Sequence, residues 1–167
     1  MATLSDSTKA GAAGVNELQL VSFELAGEEF AVDILAVHEI NRMMDLTRVP
    51  QSPPEVEGVI NLRGRIIPVV DLRRRFGLPN VERTDESRIV VIEVRERVIG
   101  FIVDGVNEVL RIPSSIVEAA PPMACSIDAD FIAGVGKLED RLLILLDISK
   151  LFGVKELEAV AELAKAA

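Results

Sequence analysis

The chain has 167 residues, with 27 acidic against 18 basic side chains and a formal net charge of −9. A chain of this length forms one domain or two small subdomains and buries roughly two-thirds of its unfolded surface, so it needs no disulfide or metal staple. A pI near 4.7 and the lack of Trp and Tyr argue against a nucleic-acid binder, which requires a cationic face and stacking residues.

In chain order, residues 1–16 are rich in Ala, Gly, Ser and Thr without a period, and read as a disordered tail. This start has no basic segment leading into an apolar one, so it does not read as a secretory signal. From Leu18 the pattern changes. "LQLVSFELAG" alternates as a strand, and Ala26-Gly27-Glu28 turns into a second strand, "EFAVDIL". "SPPEVEG" (52–58) is a proline-punctuated loop with room for one helical turn. "RIVVIEV", "RVIGFIVDGV" and "EVLRI" are strands joined by short charged turns. Residues 113–131 hold three of the eight prolines and form a long connection; "RLLILLDI" is a buried strand. Residues 154–167 form a C-terminal amphipathic helix. The fold class is mainly β, built from short antiparallel strands.

The sequence repeats itself. A shift of 76 positions lays 58–77, "GVINLRGRIIPVVDLRRRFG", over 134–153, "GVGKLEDRLLILLDISKLFG". Seven of the twenty positions are identical: Gly58, Val59, Leu62, Arg65, Asp71, Phe76 and Gly77. A weaker echo relates "FAVDILAVHEI" (30–40) to "FIVDGVNEV" (101–109). Two related β units of about 70 residues each, packed together, follow from this order. Asp71 and Asp147 recur, each after an apolar strand, and read as helix caps rather than as a catalytic pair. Arg65 and Arg141 also recur, as a strand-end ion pair or a solvated strand end.

What recurs serves the shared fold; what does not recur is free for another task. Asn61, Arg63 and Gly64 face Lys137, Glu139 and Asp140. Arg63 against Glu139 is a charge reversal, so the fold does not demand arginine there. Its fork either stands idle at an exposed turn or meets a partner's carboxylate or carbonyl groups. Arg73, Arg74 and Arg75 read as cations in the last turn of a short helix, offset by Asp71.

Catalytic chemistry is scarce. His38 is the sole histidine, Cys125 the sole cysteine with no basic neighbour, and no phosphate loop, nucleophile elbow or zinc motif occurs. A binding module is the better reading than an enzyme, with no cofactor and no metal.

Four segments together carry a family resemblance: "EEFAVDILAVHEI", "TRVPQSPPEVEGVINLRGRIIPVVDLRRRFG", "GFIVDGVNEVL" and "LLILLDISKLFG". In this order they resemble the CheW family of chemotaxis coupling proteins, over about Leu18 to Phe152. The resemblance implies two intertwined SH3-like five-stranded β-barrels sharing a hydrophobic core within residues 17–153, followed by the helix at 154–167. It implies a free-standing, non-catalytic, cytoplasmic adaptor. Such an adaptor couples the cytoplasmic tips of methyl-accepting receptors to the regulatory domain of the histidine kinase CheA. It joins rings at membrane-associated arrays, with self-association in those rings as a further expectation and without inserting into the membrane. An adaptor of a non-chemotaxis system, serving pilus motility or development, is the alternative. The receptor-side positions that the resemblance transfers are Val37, Glu39, Ile40, Gly58, Asn61, Arg63, Val106 and Val109.

Overall fold

The computed structural model describes residues 17–52, 56–79, 81–119 and 131–151. The expected tail, the C-terminal helix, Cys125 and most of the long connection lie outside them. The described strands are β1 (Glu17–Leu25), β2 (Glu28–Asp33), β3 (Val37–Arg42), β4 (Val56–Leu62), β5 (Arg65–Asp71), β6 (Arg88–Val94), β7 (Arg97–Val103), β8 (Gly105–Pro113), β9 (Val117–Glu118), β10 (Ile132–Lys137) and β11 (Leu142–Leu146). Two one-turn helices, α1 (Leu72–Arg75) and α2 (Ile148–Leu151), follow β5 and β11. The expected loop at 52–58 is shorter than its prolines suggest: Val56, Glu57 and Gly58 already belong to β4. Residues 114–118 add a 3₁₀ turn and the two-residue β9 to the long connection.

The strands form two sheets. One runs β3-β6-β7-β5-β4 and the other β9-β10-β11-β2-β1-β8. The first has the five strands that the resemblance implies; in the second, β9 adds a sixth. Each sheet is antiparallel except at one pair, β5 with β7 and β11 with β2.

The two repeat copies do not pack side by side. The first copy supplies β1 to β5 and α1, the second β6 to β11 and α2. Yet the hairpin β6–β7 of the second copy lies between β3 and β5 of the first. In return, the hairpin β1–β2 of the first lies between β8 and β11 of the second. Each copy has given its first hairpin to the other's sheet.

The repeat holds down to register. Val59 pairs with Pro68, Ile60 with Ile67 and Asn61 with Ile66, while 76 positions on Val135 pairs with Ile144, Gly136 with Leu143 and Lys137 with Leu142. Both hairpins carry an irregularity at the same place, between Val56 and Gly58 and between Ile132 and Gly134. The recurring glycine has one cause in both copies. A Cβ at Gly58 would stand 2.6 Å from the Thr47 carbonyl oxygen, and one at Gly134 would stand 2.6 Å from Val117 Cγ1 and 3.0 Å from the Glu118 carbonyl oxygen. Another segment crosses there, bridged through Thr47 to Val59 and through Glu118 to Val135.

Alternation along the strands sorts side chains into three cores. Ile89 and Val91 point to a small core inside the first sheet, with Ile60, Ile67, Val69 and Ile102, covered by Met43, Met44 and Leu46. Leu20, Ala31, Ile112, Leu143 and Leu145 make a matching core in the second sheet. The intervening residues, among them Val90, Ile92, Phe101, Val21, Phe23, Phe30, Ile144 and Leu146, meet in the largest core, between the sheets. Both faces of the central strands are therefore buried, which explains why "RIVVIEV" reads as continuous apolar sequence.

Asp71 caps α1 by accepting from Arg73 N at 2.9 Å, and Asp147 caps α2 by accepting from Ser149 N at 3.1 Å, as their recurrence suggests. Arg73 to Arg75 correct the expectation of simple helix-end cations. Arg73 binds Asp104 through Nε and Nη2, and Arg74 lies 3.3 Å from Glu57, which also pairs with Arg83. Arg75 donates to the Leu151 carbonyl at 2.7 Å and lies 5.0 Å above the Phe131 ring. A four-residue helix has little dipole to answer, whereas the abundant carboxylates and the open end of α2 offer real partners. Arg75 and Leu151 occupy equivalent repeat positions, so α1 and α2 meet near the axis that relates the copies.

Two predictions follow from this architecture. A protease site inserted after Glu82, in the exposed link between the copies, allows the folded chain to be cut. The two pieces are expected to co-elute on gel filtration, with a melting temperature that rises with concentration because folding has become association. Gly58→Ala is expected to lose about 1–3 kcal/mol in denaturant unfolding through overpacking against the Thr47 carbonyl.

Candidate functional site

The site begins with two outer strands, β3 and β8. They are the same strand of the two copies, and each ends the hydrogen-bonded order of its sheet. They share an irregularity: Val37 pairs with Ile92 and Glu39 with Val91, while Val106 pairs with Phe23 and Glu108 with Ser22. The extra residue is His38 in one strand and Asn107 in the other. His38 Nε2 lies 3.0 Å from Glu93 Oε1, a cross-strand surface contact.

Val37 and Val106 are half-buried and pack on the core between the sheets. Ile40 and Val109, three residues further along each strand, are 38% and 58% exposed. The two copies thus present matched aliphatic pairs, one side chain rooted in the shared core and one open to solvent.

Glu39 and Arg63 come together. Arg63 Nη1 donates to Glu39 Oε2 at 2.5 Å and Nη2 donates to Glu39 Oε1 at 3.1 Å. This fork is formed between β3 and the turn joining β4 to β5. The Glu39 side chain is 23% exposed and that of Arg63 74% exposed. The Arg63 hydrogen bonds hold the Glu39 carboxyl below its ordinary value, against the partial loss of water around it. Arg63 is therefore neither idle nor aimed freely at solvent: it is docked on Glu39 with its outer side open.

The turn beneath it is tight. Arg63 and Gly64 have φ of 54° and 81°, both left-handed. Asn61 is not among the left-handed residues; its Oδ1 accepts from Gly64 N at 2.9 Å and pins the turn. Arg63 itself takes a left-handed position in the two-residue turn between Leu62 and Arg65, which the Gly64 N–H braces by donating to Asn61. Gly58 sits in β4 under the crossing Thr47 segment, which accounts for it sterically.

The second copy has its own version of the pair. Glu108, the repeat counterpart of Glu39, lies 3.2 Å from Arg141 Nη2. Arg141 also binds Glu29 through Nε at 2.5 Å and Asp140 at 3.0 Å. The expected strand-end ion pair is thus present at Arg141. Glu108 was missed as a site residue, although the match of Glu39 to Glu108 in the weaker repeat carried the signal.

A second charged group lies elsewhere. Glu57 and Asp71 are buried beside Arg74 and Arg83. Burial pushes the Asp71 carboxyl up, opposed by the Arg73 N–H and by Arg83. No residue of this group touches the Glu39–Arg63 pair in any hydrogen bond or salt bridge found among the described residues.

The comparisons with known proteins agree with one another. Residues 19–156 match the family model of the CheW-like domain. The chain is 36% identical over 165 residues to the chemotaxis protein CheW of Klebsiella aerogenes, covering 99% of both chains. It is 41% identical over 130 residues to the chemotaxis protein CheW of Bacillus subtilis, covering 77% of this chain and 83% of that one. Its structure matches the crystal structure of the scaffolding protein TtCheW from Thermoanaerobacter tengcongensis with a TM-score of 0.76 and 38% identity, covering 84% of this chain and 91% of that one.

The Glu39–Arg63 pair yields a titration test. Its contribution to stability is complete above the ordinary glutamate value, about 4.3, and is lost as pH falls through the lowered value of Glu39. In Arg63→Ala, the Glu39 carboxyl is expected to titrate at higher pH than in the parent, as followed by carbon-detected NMR.

Proposed function

The chain belongs to the CheW-like family, a family of non-catalytic chemotaxis adaptors, and from that membership we propose that it couples methyl-accepting receptors to the histidine kinase CheA. The receptor's helical tip docks between β3 and β8, with Val37, Ile40, Val106 and Val109 as aliphatic contacts. Arg63, steadied by Glu39, meets a carboxylate or a carbonyl group of the tip. Asn61 and Gly58 serve this site indirectly, by shaping the turn and seating β4. The kinase's regulatory domain is the second partner, and self-association in array rings extends the same assembly. Such a protein works in the cytoplasm and reaches the membrane through its receptors. The chemotaxis names of its relatives favour this reading over a non-chemotaxis array.

One observation carries the reading. Two edge strands from two repeat copies expose matched aliphatic residues, beside an arginine already oriented by a carboxylate. An amphipathic helix fits such a surface by its apolar face, with polar contacts at the rim. Exposed charge pairs add little to folding stability, so the exposed Arg63–Glu39 pair is free to serve recognition.

Arg63→Glu, which installs the residue of the second copy, tests this. The variant is expected to melt within a few degrees of the parent, since a surface ion pair contributes little to folding stability. In calorimetry against a receptor hairpin fragment, its affinity is expected to fall about tenfold or more. Unchanged affinity would remove Arg63 from the contact surface.

A further inference from the structure

The matched series on β3 and β8 does not end at Ile40 and Val109. Two residues further along each strand stand Arg42 and Arg111, both exposed. The registers of the two copies agree here as well. Ile40 lies opposite Val90 and Arg42 opposite Arg88; Val109 lies opposite Val21 and Arg111 opposite Gln19. The irregularities of both strands come earlier, so the alternation from the aliphatic residue to the arginine is undisturbed.

A strand residue shares its face with the residue two places on. Val90 and Val21 belong to the core between the sheets. Ile40 with Arg42, and Val109 with Arg111, therefore stand on the side of each sheet that faces this core. Along each strand one side chain packs on the core, the next is an exposed aliphatic, and the last is an exposed arginine.

The fold gives these two arginines no task. Among the described residues, neither guanidinium has a hydrogen-bond or salt-bridge partner. Arg88, directly across from Arg42, donates to the Asp85 and Ser87 carbonyls at 2.7 and 2.8 Å. It sets a second positive charge against the first, and like charges directly opposite one another weaken a sheet. Gln19, across from Arg111, carries no charge, and Glu17, diagonal to Arg111, makes no salt bridge with it. Arg73, Arg74, Arg83 and Arg141, by contrast, each have a carboxylate. A chain with 27 acidic residues thus leaves an arginine unpaired at the same place in both copies. Recurrence marks service to the fold where the fold supplies a partner. Here it supplies none, so what recurs is a group turned toward something outside the chain.

We propose that Arg42 and Arg111 are the outer ends of the receptor-docking surface, where their guanidinium forks receive carboxylate side chains that flank the apolar stripe of the helical tip. This rests on the reading of the β3 and β8 edges as the receptor site. It adds the chemistry of the partner: an apolar centre with an acidic residue on either side. A guanidinium fork meets a carboxylate through two parallel hydrogen bonds, so each arginine fixes position as well as adding attraction. Being the same in both copies, the two arginines favour neither direction of docking.

The test uses the full chain and a cytoplasmic hairpin fragment of a methyl-accepting receptor from the same organism, with binding measured by calorimetry. Arg42→Gln and Arg111→Gln are each expected to weaken binding about threefold and the double variant about tenfold. The double variant's affinity is also expected to depend less on salt. Arg97→Gln removes an equally exposed arginine from the other end of the β6–β7 hairpin and is expected to bind like the parent. Arg42→Glu places a carboxylate opposite Arg88. It is expected to melt no lower than the parent while losing more affinity than Arg42→Gln. A lower melting temperature for Arg42→Glu would make Arg42 a structural residue and overturn its assignment. An equal loss of affinity in Arg97→Gln would reduce the effect to overall charge and overturn the proposal. Should Arg63→Glu lose affinity while the double variant binds like the parent, the arginines are no part of the surface although the receptor reading stands. Should the parent itself not bind the hairpin, the receptor reading falls and this assignment falls with it.

Discussion

The apolar layer between the two sheets is the constraint on which everything else depends. Among the described residues, its 18 buried side chains outnumber the six and five in the cores inside the sheets. Each buried aliphatic or aromatic side chain contributes about 1.5–3 kcal/mol, so the cohesion lies mainly between the sheets. The exchange of hairpins strengthens this dependence. Among the described strands, β3 finds its hydrogen-bonded neighbour in the second copy and β8 in the first. An aromatic series, Phe23, Phe30, Phe76 and Phe131, crosses the layer with ring centroids 5.8 to 6.1 Å apart. The two outer strands of the candidate site are thus fixed relative to one another by the same interactions that fold the chain.

The arginines of 58–77 show how an acidic chain uses its few cations. Arg73 ties α1 to Asp104 after β7, and Arg75 ties it to the end of α2. Arg74 helps neutralise Glu57, a buried carboxylate that would be costly alone. These contacts join parts of the two copies that the exchange has brought together. Arg63 differs from them in kind. Its partner, Glu39, is also near the surface, and the pair carries little of the fold.

Much of this was legible in the sequence. The shift of 76 positions anticipated a shared register to the residue, because a hairpin whose two faces are both buried cannot slip without turning its side chains over. The caps at Asp71 and Asp147 were legible for a similar reason: a carboxylate just before a helical turn has local donors within reach. The exchange of hairpins was legible only as the intertwining that the family resemblance implies, not from the strand pattern itself. Pairing β3 with β4, or with β6, uses the same strand pattern, and the choice is made by packing over long sequence distances. Nor could the partners of Arg73 and Arg75 be read, since Asp104 and Leu151 are 31 and 76 residues away. The valines of the site were only half legible. Apolar character marks Val37 and Val109 alike, but only the fold makes one half-buried and leaves the other exposed.

A two-fold related scaffold has a difficulty of its own: a helical partner could dock on it in either of two opposite directions. Shape alone does not decide, because Val37 with Ile40 and Val106 with Val109 are nearly equivalent. The charges decide. At one edge, Glu39 holds an arginine that is 74% exposed; at the other, Glu108 shares a more enclosed arginine with Glu29 and Asp140. The first edge offers a donor and the second a surplus of acceptors. A partner with opposite charges at its two ends gains in one direction and meets like charges in the other, and such a difference gives orientation more than affinity. In the proposed docking, the difference between Arg63 on Glu39 and Arg141 among three carboxylates is the means by which a duplicated fold acquires a single sense.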